Sequence, residues 1–211
     1  GVSRPQPAGG ACDIGAFEAR GFSLTYSGGS GQSTIVTAPF ATPLSLAVSS
    51  AFGEPVEGGL VTFTGPSSGA GVTPIIATAT IAGGAASVNV TANATAGSYT
   101  VSAAAGGPAR VDFALTNSCY TQVTVTNEND SGAGSLRQAL VEVCDGGTID
   151  FAAGLAGQTI GLTSAELTIG KTVTITNPAA PGLAVSGNAT RRVFTIQSSG
   201  VVTLSGLNII N

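Results

Sequence analysis

The residues of this sequence that could do chemistry are a small set of carboxylates and cations in its second half. They are Asp145, Asp150, Glu166, Lys171, Arg191 and Arg192. Two carboxylates at a suitable separation cleave glycosidic bonds, so a cluster of these groups would be able to act on a polysaccharide. The simpler interpretation is that they are surface charges and turn residues, because charged side chains are rarely buried. The sequence contains no histidine, the commonest general base, and we expect that the chain is not an enzyme.

A second group of candidate ligands is the oxygen-rich segment Asn127-Glu-Asn-Asp-Ser131. Calcium binds carboxylate and amide oxygens, which makes Asn127, Asn129 and Asp130 candidate ligands. Their spacing differs from that of an EF-hand, and the alternative is that the segment shapes the turn before Ser135. Calcium is thus the one cofactor that the sequence leaves open, and no other cofactor is predicted.

The chain has three cysteines, Cys12, Cys119 and Cys144, and none lies in a Cys-x-x-Cys pair. Zinc-binding and redox motifs are therefore unsupported. Cys119 and Cys144 flank a compact segment, and we predict a disulfide that closes a loop of about 25 residues and stabilises the fold by about 3 kcal/mol. The alternative is that both are buried free thiols. The partner of Cys12 stays open.

The composition limits the class of protein to which the chain belongs. Charged residues make up 9% of the 211 residues, and seven Lys and Arg against 11 Asp and Glu give a net charge of -4. So few cations, spread along the chain, argue against nucleic acid as a partner. No apolar run approaches the roughly 18 residues of a membrane helix, so we predict no membrane-spanning segment. The abundance of alternating Val, Ile and Thr predicts a folded β protein.

Residues 21–117 alternate apolar and polar side chains in short runs that turn residues separate. This pattern predicts seven strands, the number typical of an immunoglobulin-like sandwich. The predicted strands are residues 22–26, 44–48, 60–64, 77–81, 86–91, 98–102 and 110–115. The fourth and fifth are expected to form a hairpin around Gly83-Gly84, and the last two to pair through the turn at Gly106-Gly-Pro108.

Four short motifs in this segment are similar to those of known repeats. They are Phe52-Gly-Glu-Pro-Val56, Val61-Thr-Phe63, Ala96-Gly-Ser-Tyr-Thr-Val101 and Phe113-Ala-Leu-Thr-Asn117. Together they resemble the bacterial Ig-like repeats of large adhesins and invasin-type surface proteins. The segment lacks the inter-sheet cysteines and the core Trp of antibody domains, so the resemblance implies nothing about antigen recognition.

Residues 118–211 carry a different pattern. After a predicted strand at residues 123–127, Ser135 is the predicted N-cap of a short helix with helically spaced apolar residues. Eight very short strands then follow at near-regular intervals, which predicts a solenoid of parallel β-coils. These strands are residues 148–151, 159–162, 167–169, 173–175, 183–185, 193–196, 202–204 and 207–209. With Asn129-Asp-Ser-Gly-Ala-Gly-Ser-Leu-Arg-Gln-Ala139 before it, the pattern resembles the first coils of the right-handed parallel β-helix of pectin-lyase-like surface proteins.

Residues 1–20 are predicted to form a tail, since Pro5, Pro7 and Gly9-Gly10 oppose regular structure. Its two motifs are Gly1-Val-Ser-Arg-Pro-Gln6 and Cys12-Asp-Ile-Gly-Ala-Phe-Glu18. They resemble the terminal motif of β-helix domains of the choice-of-anchor Q type. The resemblance implies that the sequence starts in the end of one β-helix and finishes in the beginning of another.

We expect an all-β chain, in which an Ig-like β-sandwich is joined to a short right-handed parallel β-helix with one capping α-helix. A β-helix that stops after a few coils exposes unpaired strands and an open core, which invites another strand. We therefore expect units to assemble head to tail, in a longer tandem array or as separate protomers. The residues expected at this contact are Cys12, Ile14, Phe17, Leu207 and Ile209.

These expectations favour one function and leave two alternatives. The favoured function is a structural subunit or repeat of an extracellular fibre or adhesin at the cell surface, which binds copies of itself and has surface glycans as a second candidate partner. The first alternative is a non-catalytic spacer, and the second is the opening part of a carbohydrate-active β-helix enzyme. Aromatic residues, which would support sugar binding, make up only 5% of the sequence.

Overall fold

The computed structural model describes residues 22–51, 53, 55–106 and 108–211. Within these residues the chain is predominantly β and has a single α-helix, which confirms the predicted all-β class. Val, Ile, Thr and aromatic side chains suit a pleated surface that is buried on one face, whereas Gly and Pro are disfavoured inside strands. The short apolar runs between glycines therefore become short strands.

Ten strands lie between residues 23 and 118 of the described chain. They are β1 (Ser23–Gly28), β2 (Gln32–Ile35), β3 (Leu44–Ser49), β4 (Leu60–Thr64), β5 (Val72–Thr73), β6 (Ile76–Thr80), β7 (Ala85–Val88), β8 (Thr91–Ala92), β9 (Gly97–Ala104) and β10 (Arg110–Ser118). Eight of them form two sheets, with the orders β1-β3-β7 and β2-β10-β9-β4-β6, while β5 and β8 pair with each other.

The two sheets share one hydrophobic core, to which both contribute alternate side chains. In β3, Leu44, Leu46 and Val48 are buried, whereas Ser45 and Ala47 between them are partly exposed. The alternation of the sequence thus decides which face of each strand packs inward.

Pairing across the Gly-Gly turn differs from the sequence prediction. A hairpin of residues 77–81 and 86–91 is expected, but β6 pairs with β4 and β7 pairs with β3, in different sheets. An isolated bridge between Ala82 and Ala85 joins the two segments. The hairpin prediction is wrong because both segments bury a face in the shared core, where Ile81 is among the buried residues. The turn therefore carries the chain from one sheet to the other.

The last two strands predicted for this part pair as expected. β9 and β10 run antiparallel, with Val101 opposite Phe113. The sequence does not predict β2, because its Gln-Ser-Thr-Ile sequence is mostly polar. β2 forms because its backbone lies parallel to β10, with Gln32 opposite Leu115, and completes the edge of the sheet.

Besides a short 3-10 helix at Ala153–Leu155, the second part of the described chain contains one α-helix and nine strands. They are β11 (Tyr120–Val125), α1 (Leu136–Glu142), β12 (Val143–Phe151), β13 (Thr159–Gly161), β14 (Leu167–Ile169), β15 (Val173–Thr176), β16 (Ala184–Ser186), β17 (Phe194–Ile196), β18 (Val202–Ser205) and β19 (Asn208–Ile210). The eight strands predicted after residue 147 are all present, although β12 begins earlier than expected.

Strands β11 to β19 form three parallel sheets, with the orders β11-β12-β15-β18, β13-β16-β19 and β14-β17. The chain passes from β12 through β13 to β14, returns to the first sheet at β15, and passes through β16 and β17 before it returns again at β18. Each strand therefore pairs with the strand of the preceding passage, as Thr148, Thr174 and Thr203 do in the first sheet.

The α1 helix begins after Ser135, as predicted. The Ser135 hydroxyl accepts a hydrogen bond from the backbone N–H of Gln138 at 3.2 Å, which satisfies a donor that the first turn leaves free. Leu136, Ala139 and Leu140 are buried in the core that the three parallel sheets share. The apolar spacing of the helix thus places it against the first strands of this core.

A short connection joins the two parts of the chain. β10 ends at Ser118 and β11 begins at Tyr120, so Cys119 alone separates the two strands. Cys119 forms the predicted disulfide with Cys144 of β12, and the two Cα atoms are 5.1 Å apart. The backbone N–H of Val36 also donates to Ser118 O at 2.9 Å. These bonds connect the end of β10 to both parts of the chain.

Candidate functional site

The inward side chains of the parallel sheets stack in ladders, and the last member of each ladder is exposed. Ile160 of β13, Val185 of β16 and Ile209 of β19 are register partners. Their exposed fractions are 1%, 0% and 46%. Val185 lies between two strands, whereas β13 and β19 are the two edges of the sheet, and of these two edges only β19 leaves its ladder residue exposed.

The other two sheets end in the same way. Ile175 of β15 is buried, whereas its partner Leu204 in β18 is exposed. Ile169 of β14 is also buried, and its partner Ile196 in β17 is exposed. β17, β18 and β19 thus present exposed apolar side chains together, and we refer to these three strands as the last rung.

The backbone of β19 has a paired side and an unpaired side. The N–H of Asn208 donates to Leu183 O at 3.0 Å, and the N–H of Gly187 donates to Ile210 O at 3.1 Å. Alternate residues of a parallel strand bond to the same neighbour, so the N–H and C=O of Ile209 point away from β16. No described strand pairs with β19 on that side. A row of such groups is a template for an added strand.

A groove of about 680 Å³ opens beside the last rung. The residues that line it are Ala189, Thr190, Arg191, Arg192, Val193, Phe194, Ile209, Ile210 and Asn211. Arg192 Nε lies 3.2 Å from Glu166 Oε2 in an ion pair at the surface. Arg191 differs, because its Nη1 is buried and has no hydrogen-bond partner among the described residues. The groove therefore combines apolar walls with two arginine side chains, of which Arg191 is partly exposed.

The residues predicted to make the head-to-tail contact lie in two places. Leu207 is partly buried against the core, and Ile209 is the exposed end of its ladder, so both lie at or beside the last rung. Cys12, Ile14 and Phe17 lie outside the described residues. Arg191, which the sequence offers as a member of a charged cluster or as a surface charge, lies beside the last rung.

The segment considered for calcium forms a turn that its own side chains stabilise. Asn127 Nδ2 donates to Ala133 O at 2.9 Å, and Asn127 Oδ1 accepts a hydrogen bond from the N–H of Asn129 at 3.2 Å. This is the turn-shaping role that the sequence offers as the alternative to calcium. Within the described residues there is no cluster of three or more His, Cys, Asp or Glu side chains that could hold a metal ion.

Asp130, the remaining calcium candidate, forms an ion pair with Arg137. Arg137 Nη2 lies 2.5 Å from Asp130 Oδ1, and the two side chains are 24% and 10% exposed. Asp130 Oδ2 accepts hydrogen bonds from Thr163 Oγ1 at 3.1 Å and from the N–H of Ser164 at 2.7 Å. Burial raises the pKa of Asp130, but the bonds from Arg137, Ser164 and Thr163 outweigh it and hold this pKa well below its ordinary value.

The charged residues considered for catalysis lie in separate contacts. Asp150 Oδ2 accepts a hydrogen bond from Gln122 Nε2 at 2.6 Å across two neighbouring strands. Glu166 forms the ion pair with Arg192, and its backbone carbonyl accepts a bond from Arg137 Nη1 at 3.1 Å. These contacts connect strands and loops of the second part of the chain.

Lys171 and Asp145 lie near the end of α1. Lys171 Nζ donates to the carbonyl oxygens of Val141 and Val143 at 3.3 and 2.7 Å, and the end of a helix leaves such acceptors unpaired. Asp145 Oδ1 accepts a hydrogen bond from the N–H of Thr172 at 2.7 Å. Burial lowers the pKa of Lys171, and the nearby Asp145 carboxylate opposes that shift. The two side chains thus connect the helix end with the start of β15.

A buried polar network near the connection between the two parts is not predicted from the sequence. Asn117 is buried, and its Nδ2 donates to Gly71 O at 2.9 Å and to Thr95 O at 3.1 Å. Its Oδ1 accepts a bond from the Tyr99 hydroxyl at 2.8 Å. Burial raises the pKa of Tyr99 to about 12, although the bond to Asn117 opposes the shift. The period-2 alternation of β10 was the available signal, since it places Asn117 on the inward face.

The chain matches no protein-family model, no curated protein and no solved structure. Among the residues that the structure describes, no helix combines the length and the apolar character needed to cross a bilayer.

Proposed function

We propose that the chain is a structural, non-catalytic segment of an extracellular fibre or adhesin, and that it assembles head to tail through its last rung. The observation that carries this proposal is the exposure of Ile209 at the end of a ladder whose earlier members are buried. An apolar edge with unpaired backbone groups is a site for strand addition.

The architecture supports this proposal. Two facing sheets around one core, with seven of their strands predicted from the sequence, fit an Ig-like sandwich. Three parallel sheets that the chain visits in a fixed order fit the first coils of a parallel β-helix, in which each coil buries the one before it. Among the described residues no strand pairs with the free side of β19, and the proposal places a further strand there.

The tail is the proposed source of that strand. Residues 1–18 hold the short apolar segment Cys12-Asp-Ile-Gly-Ala-Phe-Glu18, whose Ile14 and Phe17 suit an apolar surface. When residues 1–18 of one copy cover the last rung of another, the two contacting surfaces differ. A contact between unlike surfaces that does not close into a ring builds a filament.

The disulfide and the composition support an extracellular location. Disulfides persist in oxidising environments and are rare in the cytosol, and the chain contains one between Cys119 and Cys144. The low content of charged residues and the absence of histidine fit a structural protein better than an enzyme.

A second candidate function is a passive rigid spacer. The observation that favours it is the connection between the two parts, where Cys119 alone separates β10 from β11 and also forms the disulfide. A connection of one residue leaves little freedom for bending. A spacer and a fibre subunit differ in one property, which is whether isolated copies associate.

Sedimentation velocity and electron microscopy of the full chain test the proposal. The full chain is expected to form larger species as its concentration rises, and filaments in the micrographs. Removal of residues 1–18 is expected to abolish both, because the donated strand is lost. Monomers alone from the full chain, or unchanged association after the deletion, would overturn the fibre proposal and favour the spacer.

Two matched substitutions separate the last rung from general surface hydrophobicity. Ile209→Lys places a charge at the proposed contact and is expected to abolish association. Leu60→Lys makes the same kind of change at an exposed apolar residue of the first part of the chain and is expected to leave association unchanged. Equal effects of the two substitutions would mean that the last rung has no special role.

A further inference from the structure

Of the described strands in the first part of the chain, β2 and β10 alone pair in parallel, and the other pairs are antiparallel. Gln32 lies opposite Leu115, and Ile35 lies opposite Ser118. β2 is the second strand of this part and β10 is its last. The chain thus enters the first part shortly before β2 and leaves it at the end of β10.

This arrangement decides how the pair responds to tension. A force that stretches the chain pulls β2 back towards its first residue and pulls β10 forward past its last residue. Because the two strands are parallel, these directions are opposite along the strand axis, and the pair is loaded in shear. The evenly spaced bonds of a parallel ladder then share the load and have to break together. Two strands that are pulled apart from one end lose their bonds one after another.

We infer that the β2–β10 pair is a mechanical clamp, which holds the first part of the chain folded under tension. A force from the N-terminal side reaches β3 and the later strands only after β2 has left β10, because β2 precedes them in the chain. A fibre subunit and a rigid spacer both carry tension, so this role goes beyond the proposed function and applies to either.

Backbone hydrogen bonds extend the pair beyond the residues in register. The N–H of Gly31 donates to Ala114 O at 2.7 Å before the first register pair. The N–H of Val36 donates to Ser118 O at 2.9 Å after the last one. A sheared strand has to break these two bonds in addition to those of the ladder.

Two serine side chains add bonds between the same segments. Ser30 Oγ accepts a hydrogen bond from the N–H of Ala114 at 3.1 Å, and Ser33 Oγ lies 2.6 Å from Ser118 Oγ. β2 is mostly polar and has little apolar surface to bury. Its polar residues thus supply further bonds to β10 instead.

β10 is anchored more extensively than β2. It pairs with β9 from Arg110 to Asn117, whereas it pairs with β2 over residues 32–35 only. Phe113 and Leu115 of β10 are also buried in the core. The contact with β2, at the edge of the sheet, is therefore the one that yields under tension, and its bonds set the force that the first part withstands.

The Cys119–Cys144 disulfide continues the load path beyond β10. Cys119 directly follows β10 and Cys144 lies in β12, so tension that leaves β10 passes through the two sulfur atoms into β12. Residues 120–143, which include β11 and α1, carry none of this tension. The helix is thus not pulled away from the core when the chain is stretched.

The test is force spectroscopy of single full chains in optical tweezers, with two attachment geometries. In the first, the handles are fused to the two ends of the chain and the clamp is sheared. In the second, one handle is at the N-terminus and the other is at residue 110 of a Cys12→Ser/Arg110→Cys chain, at the exposed start of β10. Both strands are then pulled from the same end. The unfolding force of the first part is expected to fall at least about twofold, because the bonds break in sequence.

The gain in length identifies each event. Unfolding of the first part releases about 95 residues, or about 32 nm of extended chain. Reductant is expected to add about 25 residues, or about 8 nm, to the release from the second part, because residues 120–143 are then no longer held out of the load path. An unchanged release in reductant would contradict the path through the disulfide.

Matched substitutions separate the clamp from general stability. Ser30→Ala/Ser33→Ala removes two side-chain bonds between the β2 segment and β10, and it is expected to lower the unfolding force in the end-to-end geometry. Ser98→Ala/Ser102→Ala removes two side-chain bonds between β9 and β10 and is expected to leave this force unchanged. Urea denaturation is expected to show similar, small losses of stability for both double variants.

Two results would overturn the clamp. The first is an equal unfolding force of the first part in the two geometries, since a clamp depends on the direction of the force. The second is an equal force for the two double variants, which would mean that the force follows overall stability. These measurements use one tethered copy, whereas head-to-tail assembly is measured with many copies, so the two proposals can fail separately.

Discussion

Ile209 lies opposite Val185 in the parallel ladder between β16 and β19, yet Ile209 is 46% exposed and Val185 is fully buried. The two residues share a register. Val185 has a strand on each side, β13 and β19, whereas Ile209 has a described strand on one side only, which is β16. If a tail strand covers the exposed half of Ile209, burial of this side chain alone contributes about 1 kcal/mol to the free energy of association.

The ladder predicts different effects for one substitution made at its two ends. Ile160→Ala removes a side chain that is 1% exposed and is expected to lower the free energy of unfolding by about 2–5 kcal/mol. Ile209→Ala removes a half-exposed side chain and is expected to lower it by less than about 1 kcal/mol. Urea denaturation of both variants at a concentration where the chain is monomeric measures the difference.

The effects of these two substitutions on association are expected to have the opposite order. Ile209→Ala weakens the proposed contact, whereas Ile160→Ala lies at the far end of the ladder and leaves the contact intact while the chain is folded. Sedimentation velocity compares the two. Similar losses of stability from both variants would mean that Ile209 is covered within its own chain.

The sequence is sufficient to predict most strands of the second part, for a physical reason. Short Val, Ile and Leu runs such as 173–175 are bounded by Gly, Asn or Pro, and a run too short for a helix has only the strand as its regular structure. The N-cap Ser135 and the Cys119–Cys144 disulfide are predictable for a similar reason. Each depends on residues that are close together in the sequence.

The features that the sequence does not predict depend on the assembled fold. β2 is polar and owes its strand conformation to the neighbouring β10. The expected hairpin at residues 77–91 does not form because its two strands pair with β4 and with β3, in different sheets. The burial of Arg191 Nη1 without a hydrogen-bond partner among the described residues likewise depends on segments that are distant in the sequence. Propensity and spacing carry no information about such long-range partners.

Loss of the Cys119–Cys144 disulfide is expected to lower the free energy of unfolding by about 3 kcal/mol, because the closed loop of about 25 residues restricts the unfolded chain. The measurement is urea denaturation of the parent and of the Cys119→Ser/Cys144→Ser variant. Reductant added to a Cys12→Ser chain is the control, and it is expected to cause the same loss. Reductant that destabilises the parent but not the Cys12→Ser chain would point to a different disulfide.

The ion pair of Asp130 and Arg137 predicts a dependence of stability on pH. The folded state holds the pKa of Asp130 well below its ordinary value, which is near 4 in an unfolded chain. The contribution of the pair is thus complete above about pH 5 and is lost as the pH falls through 4 towards the folded pKa. Asp130→Asn is expected to cost about 2–3 kcal/mol at pH 7, and the difference from the parent is expected to shrink below pH 4.

Urea denaturation of both chains between pH 2 and pH 8 checks this expectation. Glu128→Gln, two positions away at an exposed site, is the matched control and is expected to change little. A difference between the parent and Asp130→Asn chains that stays constant over this range would contradict the role of the Asp130 charge.

Calcium is expected to have no effect on the stability of the chain. Asp130 Oδ1 and Oδ2 already accept bonds from Arg137, Thr163 and Ser164, and Asn127 Oδ1 accepts one from Asn129. The measurement is thermal unfolding with millimolar calcium and with a chelator. A rise in melting temperature with calcium that Asp130→Asn abolishes would show that the ion displaces the arginine.

The most direct test of head-to-tail assembly uses the cysteine that the tail already contains. In an Asn211→Cys chain, which keeps Ile209, a short bismaleimide reagent is expected to join the new thiol to Cys12 of another copy. Each chain then carries one donor and one acceptor, so denaturing gels should contain a ladder of dimers, trimers and higher multimers. The ladder is expected to be absent from a Cys12→Ser/Asn211→Cys chain and from a Leu60→Cys control. Monomers alone, or dimers without higher multimers, would contradict the proposed assembly.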